Sequence, residues 1–222
     1  MYSEETTISC LSKNTDIILA SESARRKEIF EAHGFDPVIA PMDVDETLPD
    51  DIPADDAVMF LSLKKGLAAE EAYIGKAHDR EHALVVSADT IVYALDITTG
   101  RWTIMGKPKD DDDAWRMLSS IRGTAHKVMT GVTMIDISGE ERLLTAPKIT
   151  FCDETSVYVG DVSDEDLQAY IDSGEPYGKA GGYAIQLGFG KYIDHIEGDY
   201  ENVVGFPFSH FMRELTGHLR QE

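Results

Sequence analysis

Ile17-Ile18-Leu19-Ala20-Ser21-Glu22-Ser23-Ala24-Arg25-Arg26 is the stretch that decides the fold. Its first four residues have the length and apolar character of a buried strand. The serines behind them can cap a helix that carries Ile29 and Phe30 on its inner side. A strand running straight into a capped helix is the unit from which α/β folds are built. The helix start also favours an anion, because its free N–H groups and dipole are positive and Arg25 and Arg26 add fixed charge. An ordinary capped helix with exposed arginines fits the same residues, so both readings stay open at this point.

Outward from that unit, Phe35 to Ala40 reads as a second strand and Pro41 to Pro53 as an acidic loop. A long helix is predicted from Ala54 to about Ala77, with Val58, Leu61, Ala68 and Ala72 near helical spacing. Ala83 to Leu95 supplies one or two strands, interrupted at Ser87-Ala88-Asp89-Thr90, and residues 96–103 form a turn-rich hairpin. A helix over Asp111–Ile121 turns Trp115, Leu118 and Ile121 inward. Val128–Ile137 and Ile149–Val159 alternate like sheet strands. A helix near Asp164–Ser173, short strands at Tyr183–Gln186 and Tyr192–Ile196, and a helix from about Pro207 complete the chain. Strands alternate with helices early and cluster later, which predicts an α/β fold with a mixed, twisted β-sheet flanked by helices. Residues 1–15 read as a flexible lead-in and 16–222 as one domain.

Composition narrows the function. The 222 residues carry 41 acidic against 20 basic side chains, a net charge of -21. An apolar fraction of 42% is enough for a sizeable core, so disorder is excluded as the general state. So acidic a surface argues against nucleic-acid polymers and anionic membranes, both of which need accessible Lys and Arg. It leaves room for a short phosphorylated ligand held by a few gathered cations. Cys10 and Cys152 are too far apart for a CxxC pair and read as reduced thiols. With no basic, apolar leader and no run of the ~20 apolar residues that span a bilayer, the chain reads as soluble and cytoplasmic.

Several motifs fail on inspection. Gly100 to Gly106-Lys107 lacks phosphate-loop spacing and has Pro108 where Ser or Thr would hold Mg²⁺, and Gly188-Phe189-Gly190 lacks a third glycine. There is no HExxH zinc pair and no GxSxG elbow. What remains is a series of polar residues beside apolar strands. Asp89 follows Ala83-Leu84-Val85-Val86; Lys107 stands in a turn with Pro108; Lys179 and Gln186 flank a glycine-rich run. Each alone is equally an ordinary turn. The run Asp110–Asp113 reads as helix capping rather than a metal cage.

Taken in order, these segments resemble the Maf family of nucleoside triphosphate pyrophosphatases. The family's LASxSPRR is Leu19 to Arg26, its DxDE is Asp43 to Glu46, and its RLAxxKA helix is Phe60 to Gly66 with Lys65 retained. Its ADT is Ala88-Asp89-Thr90, followed by Gly106-Lys107-Pro108. SGxxHxVxTG matches Arg122 to Gly131, GEPxxKAGxYxIQ matches Gly174 to Gln186, and GDYxNVVGxP matches Gly198 to Pro207. Ala24, Gly66, Leu187 and Phe206 depart from the pattern, and Asp96 to Thr103 is longer than the usual hairpin.

The resemblance implies an active-site cleft between two lobes, in a fold of the Maf and ITPase type. It implies hydrolysis of a nucleoside triphosphate to its monophosphate and pyrophosphate, with Mg²⁺ or Mn²⁺. Asp89, Lys65 and Lys107 become the expected catalytic residues, with Glu46 and Asp89 as metal ligands. Ser21, Arg25, Arg26, Thr90 and Gln186 become substrate and specificity residues. Arg25, Thr90 and Gln186 match the branch that acts on dTTP and UTP, whereas the 7-methyl-GTP branch carries an aromatic, Gln and Glu there. A homodimer is also implied. Two other functions fit the same residues: a non-catalytic nucleotide-binding regulator of cell division, and a house-cleaning pyrophosphatase for deaminated purine triphosphates. Oxygen ligands suit Mg²⁺, and the cations suit a polyanionic transition state. The acidic excess should then lie away from one cleft holding Arg25, Arg26, Lys65 and Lys107.

Overall fold

A computed structural model describes residues 4–49, 51–74, 76, 80, 82–138 and 146–219. The expected strand-to-helix unit is present as β1 (Thr15–Leu19), followed by α2 (Ala24–Ala32), with α1 (Glu4–Asn14) ahead of both. Residues 1–3 of the expected lead-in lie outside the described residues; residues 4–14 are helical. The Ser23 hydroxyl caps α2 by accepting from the Arg26 amide at 3.5 Å, and Ile29 and Phe30 are its buried residues. β2 is only Val38–Ile39, shorter than the expected strand. α3 (Ala54–Tyr73) is the long helix; Gly75 and Ala77, in its expected continuation, lie outside the described residues. Its buried face runs through Ala57, Val58, Leu61, Ser62, Gly66 and Ala69, while Ala72 is exposed.

The largest correction concerns β3. It is one strand of 15 residues, His82–Asp96, and Ser87-Ala88-Asp89-Thr90 lies within it rather than ending it. The registers give the physical reason. β1 pairs in parallel with β3 up to Val86, and β4 (Arg101–Met105) pairs antiparallel with it from Val92. Ser87 to Ile91 therefore lie between two partners on that edge, where polar side chains need no flanking strand. The β3–β4 link is the expected hairpin: Asp96 Oδ1 accepts from the amides of Thr98 and Thr99, and Gly100 closes the turn at φ 66°.

After α4 (Asp111–Ile121) come β5 (Ala125–Asp136), β6 (Lys148–Val159), α5 (Asp164–Asp172), β7 (Ile193–Glu197), α6 (Tyr200–Val204) and α7 (Phe208–Leu219). α4 starts with a reciprocal cap, as the Asp110–Asp113 run suggests: Asp110 accepts from the Asp113 amide and Asp113 from the Lys109 amide. No strand forms at Tyr183–Gln186. Gly178, Gly181 and Gly182 all take positive φ, and the chain there makes a 3-10 turn over Ala180–Gly182. The sheet is mixed, with strand order β2-β1-β3-β5-β6-β7 and β4 on β3.

The chain packs as two compact units, Met1–Asp89 with Gly131–Cys152 and Gly205–Glu222, and Thr90–Thr130 with Asp153–Val204. In the first, Ile18, Ala20, Val85 and Ile135 form one core, and Phe30, Phe206, Phe208 and Phe211 pack at tilted and edge-on angles in another, with Phe30 and Phe206 centroids 4.7 Å apart. In the second, Leu118, Ile121, Val128, Val157, Tyr183 and Phe189 are buried together. Among the described residues no helix is long and apolar enough to cross a membrane.

Candidate active site

The first unit builds its polar centre by bringing α3 close to the sheet. A Cβ at Gly131 on β5 would stand 2.4 Å from the backbone of Val58 on α3, and one at Gly66 would stand 2.9 Å from Ser87 Oγ. Two glycines, one on the sheet and one on the helix, thus set the approach, and the departure of Gly66 from the family's alanine fits this close packing. Ser62 and Ser87 add polar stitches: Ser87 Oγ donates to the Ser62 carbonyl at 2.7 Å, and Ser62 Oγ meets Thr133 Oγ1 at 3.0 Å.

That approach delivers Lys65 to Asp89. The Lys65 ammonium stands 2.6 Å from Asp89 Oδ1 and 2.6 Å from Glu46 Oε1. The Lys65 and Asp89 side chains are each 14% exposed, whereas Glu46 is 55% exposed on its loop. The loop is shaped by Asp45, whose Oδ1 accepts from the Thr47 amide at 3.0 Å and its hydroxyl at 2.6 Å. Lys64 donates to the Asp45 carbonyl and ties the same loop to α3. The three expected residues Glu46, Lys65 and Asp89 are therefore brought together, two carboxylates facing one cation.

The turn after β1 supplies a second group. Arg26 donates through Nε to the Gly205 carbonyl and through Nη1 to Ser21 Oγ, each at 2.9 Å. Ser21 Oγ also accepts from the Ser23 amide at 3.2 Å. With two donors on its lone pairs, the buried Ser21 hydroxyl keeps one proton to donate, the polarity a phosphate oxygen requires. Burial draws the Arg26 guanidinium down from 12.5 to about 10; Asp89 opposes that fall, Arg25 adds to it, and Glu46 opposes it. Arg26 stays charged at neutral pH, and its charge is coupled to both carboxylates. Arg25, partly buried, precedes it on α2.

The second unit holds the remaining expected residues. Thr90 follows Asp89 directly on β3, Lys107 is exposed in the turn between β4 and α4, and Gln186 is exposed beyond the glycine-rich turn. Thr90 Oγ1 lies 3.0 Å from Thr130 Oγ1, which donates to the Asn202 carbonyl at 3.1 Å. Since Thr130 has one proton and gives it to Asn202, the proton between the two threonines comes from Thr90. Asn202 is fully buried, and its Nδ2 donates to the Val128 carbonyl at 3.1 Å and Thr155 Oγ1 at 2.9 Å. Thr130 and Asn202 lie in quoted motif stretches but were not among the expected site residues. Neither has side-chain chemistry suggestive of catalysis, and only the folded chain shows that they hold Thr90.

Among the described residues there is no group of three or more His, Cys, Asp or Glu placed for a metal ion. Glu46 and Asp89 nevertheless converge on a positive charge, and Mg²⁺ commonly takes only one or two carboxylates together with substrate phosphates and water.

The protein is thus of the mixed α/β class, with a carboxylate pair on one lysine and a buried serine hydroxyl that keeps a proton to donate. The Maf-like protein family matches residues 16–218, and the chain belongs to that family. It is 39% identical over 191 residues to a dTTP/UTP pyrophosphatase of Acetivibrio thermocellus, covering 86% of this chain and 89% of that one. It is 40% identical over 204 residues to a dTTP/UTP pyrophosphatase of Agathobacter rectalis, covering 90% and 96%. A dTTP/UTP pyrophosphatase of Caldicellulosiruptor saccharolyticus is 40% identical over 192 residues, covering 86% and 88%.

Proposed function

We propose that this chain hydrolyses dTTP and UTP to the monophosphate and pyrophosphate, by attack of water at the α-phosphorus. The observation that carries the reading is the convergence of Lys65 on Asp89 and Glu46 in a chain whose relatives are named for this activity. Asp89 accepts the proton of the attacking water. The water oxygen bonds to the α-phosphorus, the bond from that phosphorus to the bridging oxygen breaks, and pyrophosphate leaves with that oxygen. Lys65, Arg25, Arg26 and Lys107 balance phosphate charge, which grows on the leaving group, and the Ser21 hydroxyl donates to a phosphate oxygen.

Glu46 and Asp89 would hold a divalent cation, Mg²⁺ or Mn²⁺, whose hard-oxygen preference their carboxylates meet. When bound, it withdraws charge from the phosphate oxygens. With the carboxylates committed to such a cation, the Lys65 ammonium would be available to phosphate. Arg25, Thr90 and Gln186 select the base. Thr90 and Gln186 are polar groups suited to the edge of uracil or thymine, and the Gln186 amide offers both donor and acceptor. The enzyme acts in the cytoplasm on free nucleotides, as a homodimer, and not on polynucleotides or membranes, in keeping with its charge of -21.

A substrate panel tests this. Purified protein with Mg²⁺ or Mn²⁺ should release pyrophosphate from dTTP and UTP. Equal or faster turnover of 7-methyl-GTP would overturn the base assignment, and faster turnover of ITP or XTP would move the chain to deaminated purines. Tight nucleotide binding with no turnover would make it a regulator.

A further inference from the structure

His126 on β5 and Tyr183 form a buried polar pair that the reaction above does not use. His126 is 1% exposed, Tyr183 is 6% exposed, and His126 Nε2 stands 2.6 Å from the tyrosine hydroxyl. Nδ1 of His126 is buried without a hydrogen-bond partner among the described residues. Donation from the tyrosine to Nε2 leaves that one group unsatisfied, while the reverse leaves the tyrosine proton without a partner as well. Burial lowers the imidazole to about 3, so the ring is neutral at any working pH. An apolar pair would fill this space without an orphaned polar atom, so packing alone does not account for it.

Its position does. Tyr183 directly follows the 3-10 turn at Ala180–Gly182 and precedes Gln186 by three residues. Within that turn the Gly181 amide donates to the Gly106 carbonyl at 2.9 Å, and Gly106 is bonded to Lys107. Gly181 has φ 67°, and a Cβ there would come within 2.7 Å of Val92, so the turn follows a path open to glycine alone. One short turn therefore touches the segment of a proposed phosphate-binding lysine at one end and leads to a proposed base-reading amide at the other. The tyrosine hydroxyl, pinned to β5 through His126, fixes where that turn sits.

We propose that His126 and Tyr183 are positioning residues for nucleotide binding, holding the Gly181 turn so that Lys107 and Gln186 are presented in fixed places. The inference rests on the nucleotide reading above. Three full-length proteins test it: wild type, Tyr183→Phe, and the double variant His126→Leu with Tyr183→Phe. Losing one well-placed hydrogen bond should raise KM for UTP about tenfold in both variants, with kcat falling no more than about threefold. The double variant removes both polar partners and should melt no lower than wild type. Hydrogen exchange at the Gly181 amide should quicken in both variants. A double variant with wild-type KM and wild-type Gly181 exchange would overturn the proposal, as would losses in KM and kcat that simply track a lowered melting temperature. If wild-type protein hydrolyses neither UTP nor dTTP, the functional reading fails, and Gly181 exchange still decides whether the pair holds the turn.

Discussion

Lys65 stands within ion-pair distance of both Glu46 and Asp89, each of those carboxylates set 2.6 Å from it. Replacing it with methionine keeps the length of the side chain but leaves two like charges facing each other and no ammonium for the phosphates. Turnover of UTP by Lys65→Met should fall at least about 100-fold with an unchanged far-ultraviolet circular dichroism spectrum; turnover within a few-fold of wild type would remove Lys65 from the chemistry. His126 carries a separate prediction, on stability. Burial lowers its folded-state value from 6.5 to about 3, so between those values the unfolded chain binds a proton that the native chain does not. Stability contributed by the neutral ring is full above about pH 6.5 and declines as the pH falls toward 3, by up to about 1.4 kcal/mol per pH unit. Melting temperatures measured from pH 7 to 4 should therefore drop more steeply for wild type than for the His126→Leu, Tyr183→Phe protein. Parallel curves would contradict the buried, neutral histidine. Legibility at this scale came largely through the family resemblance: Asp89 stands out as a carboxylate behind an apolar strand, while Lys65 and Glu46 enter only through the motifs they match. It was low for Thr130 and Asn202, whose roles reside in hydrogen bonds to residues 40 and 72 positions away.

At the scale of elements, the sequence reading placed the strand-to-helix start, α4 and its acidic cap, and the two long strands β5 and β6 within a few residues of their observed bounds. It interrupted β3 at Ser87-Ala88-Asp89-Thr90 because a largely polar tetrad after four apolar residues has the look of a strand end. The strand continues because its partner changes from β1, far away in sequence, to the hairpin strand β4, and the distant β1 pairing leaves no local signal. The reading of Tyr183–Gln186 as a strand failed for a different reason: the short apolar run Tyr183-Ala184-Ile185 is there, but positive φ at the two preceding glycines turns the chain away from the ladder. Gly131 shows how much the α3 approach matters. Alanine there would put a methyl 2.4 Å from the Val58 carbonyl carbon and oxygen, backbone atoms that no side-chain rotation can clear. Gly131→Ala should cost about 3 kcal/mol or more in urea unfolding and weaken activity by moving Lys65 away from Asp89. Wild-type stability in that variant would mean that helix and strand do not pack so closely.

The whole molecule carries a charge of -21 on 222 residues, with only 20 basic side chains. That total looks hostile to any phosphate ligand, yet Arg25, Arg26 and Lys65 all fall within the first unit, Lys65 against Asp89 and Glu46 and Arg26 within reach of their field. Such a balance disfavours long polyanions more than short ones. Fluorescence anisotropy with labelled single- and double-stranded DNA should show no binding at ionic strengths of about 0.15 M; micromolar affinity would overturn this. Chelation of divalent cations with EDTA should abolish turnover, and added Mg²⁺ or Mn²⁺ should restore it; full activity in EDTA would remove the metal from the proposal. The central claim, water attack at the α-phosphorus assisted by Asp89, is tested most directly by hydrolysing UTP in ¹⁸O-labelled water with wild type and Asp89→Asn. The account predicts label in UMP and none in pyrophosphate, with the rate in Asp89→Asn reduced about 100-fold or more. Label in pyrophosphate, or an Asp89→Asn rate equal to wild type, would contradict it.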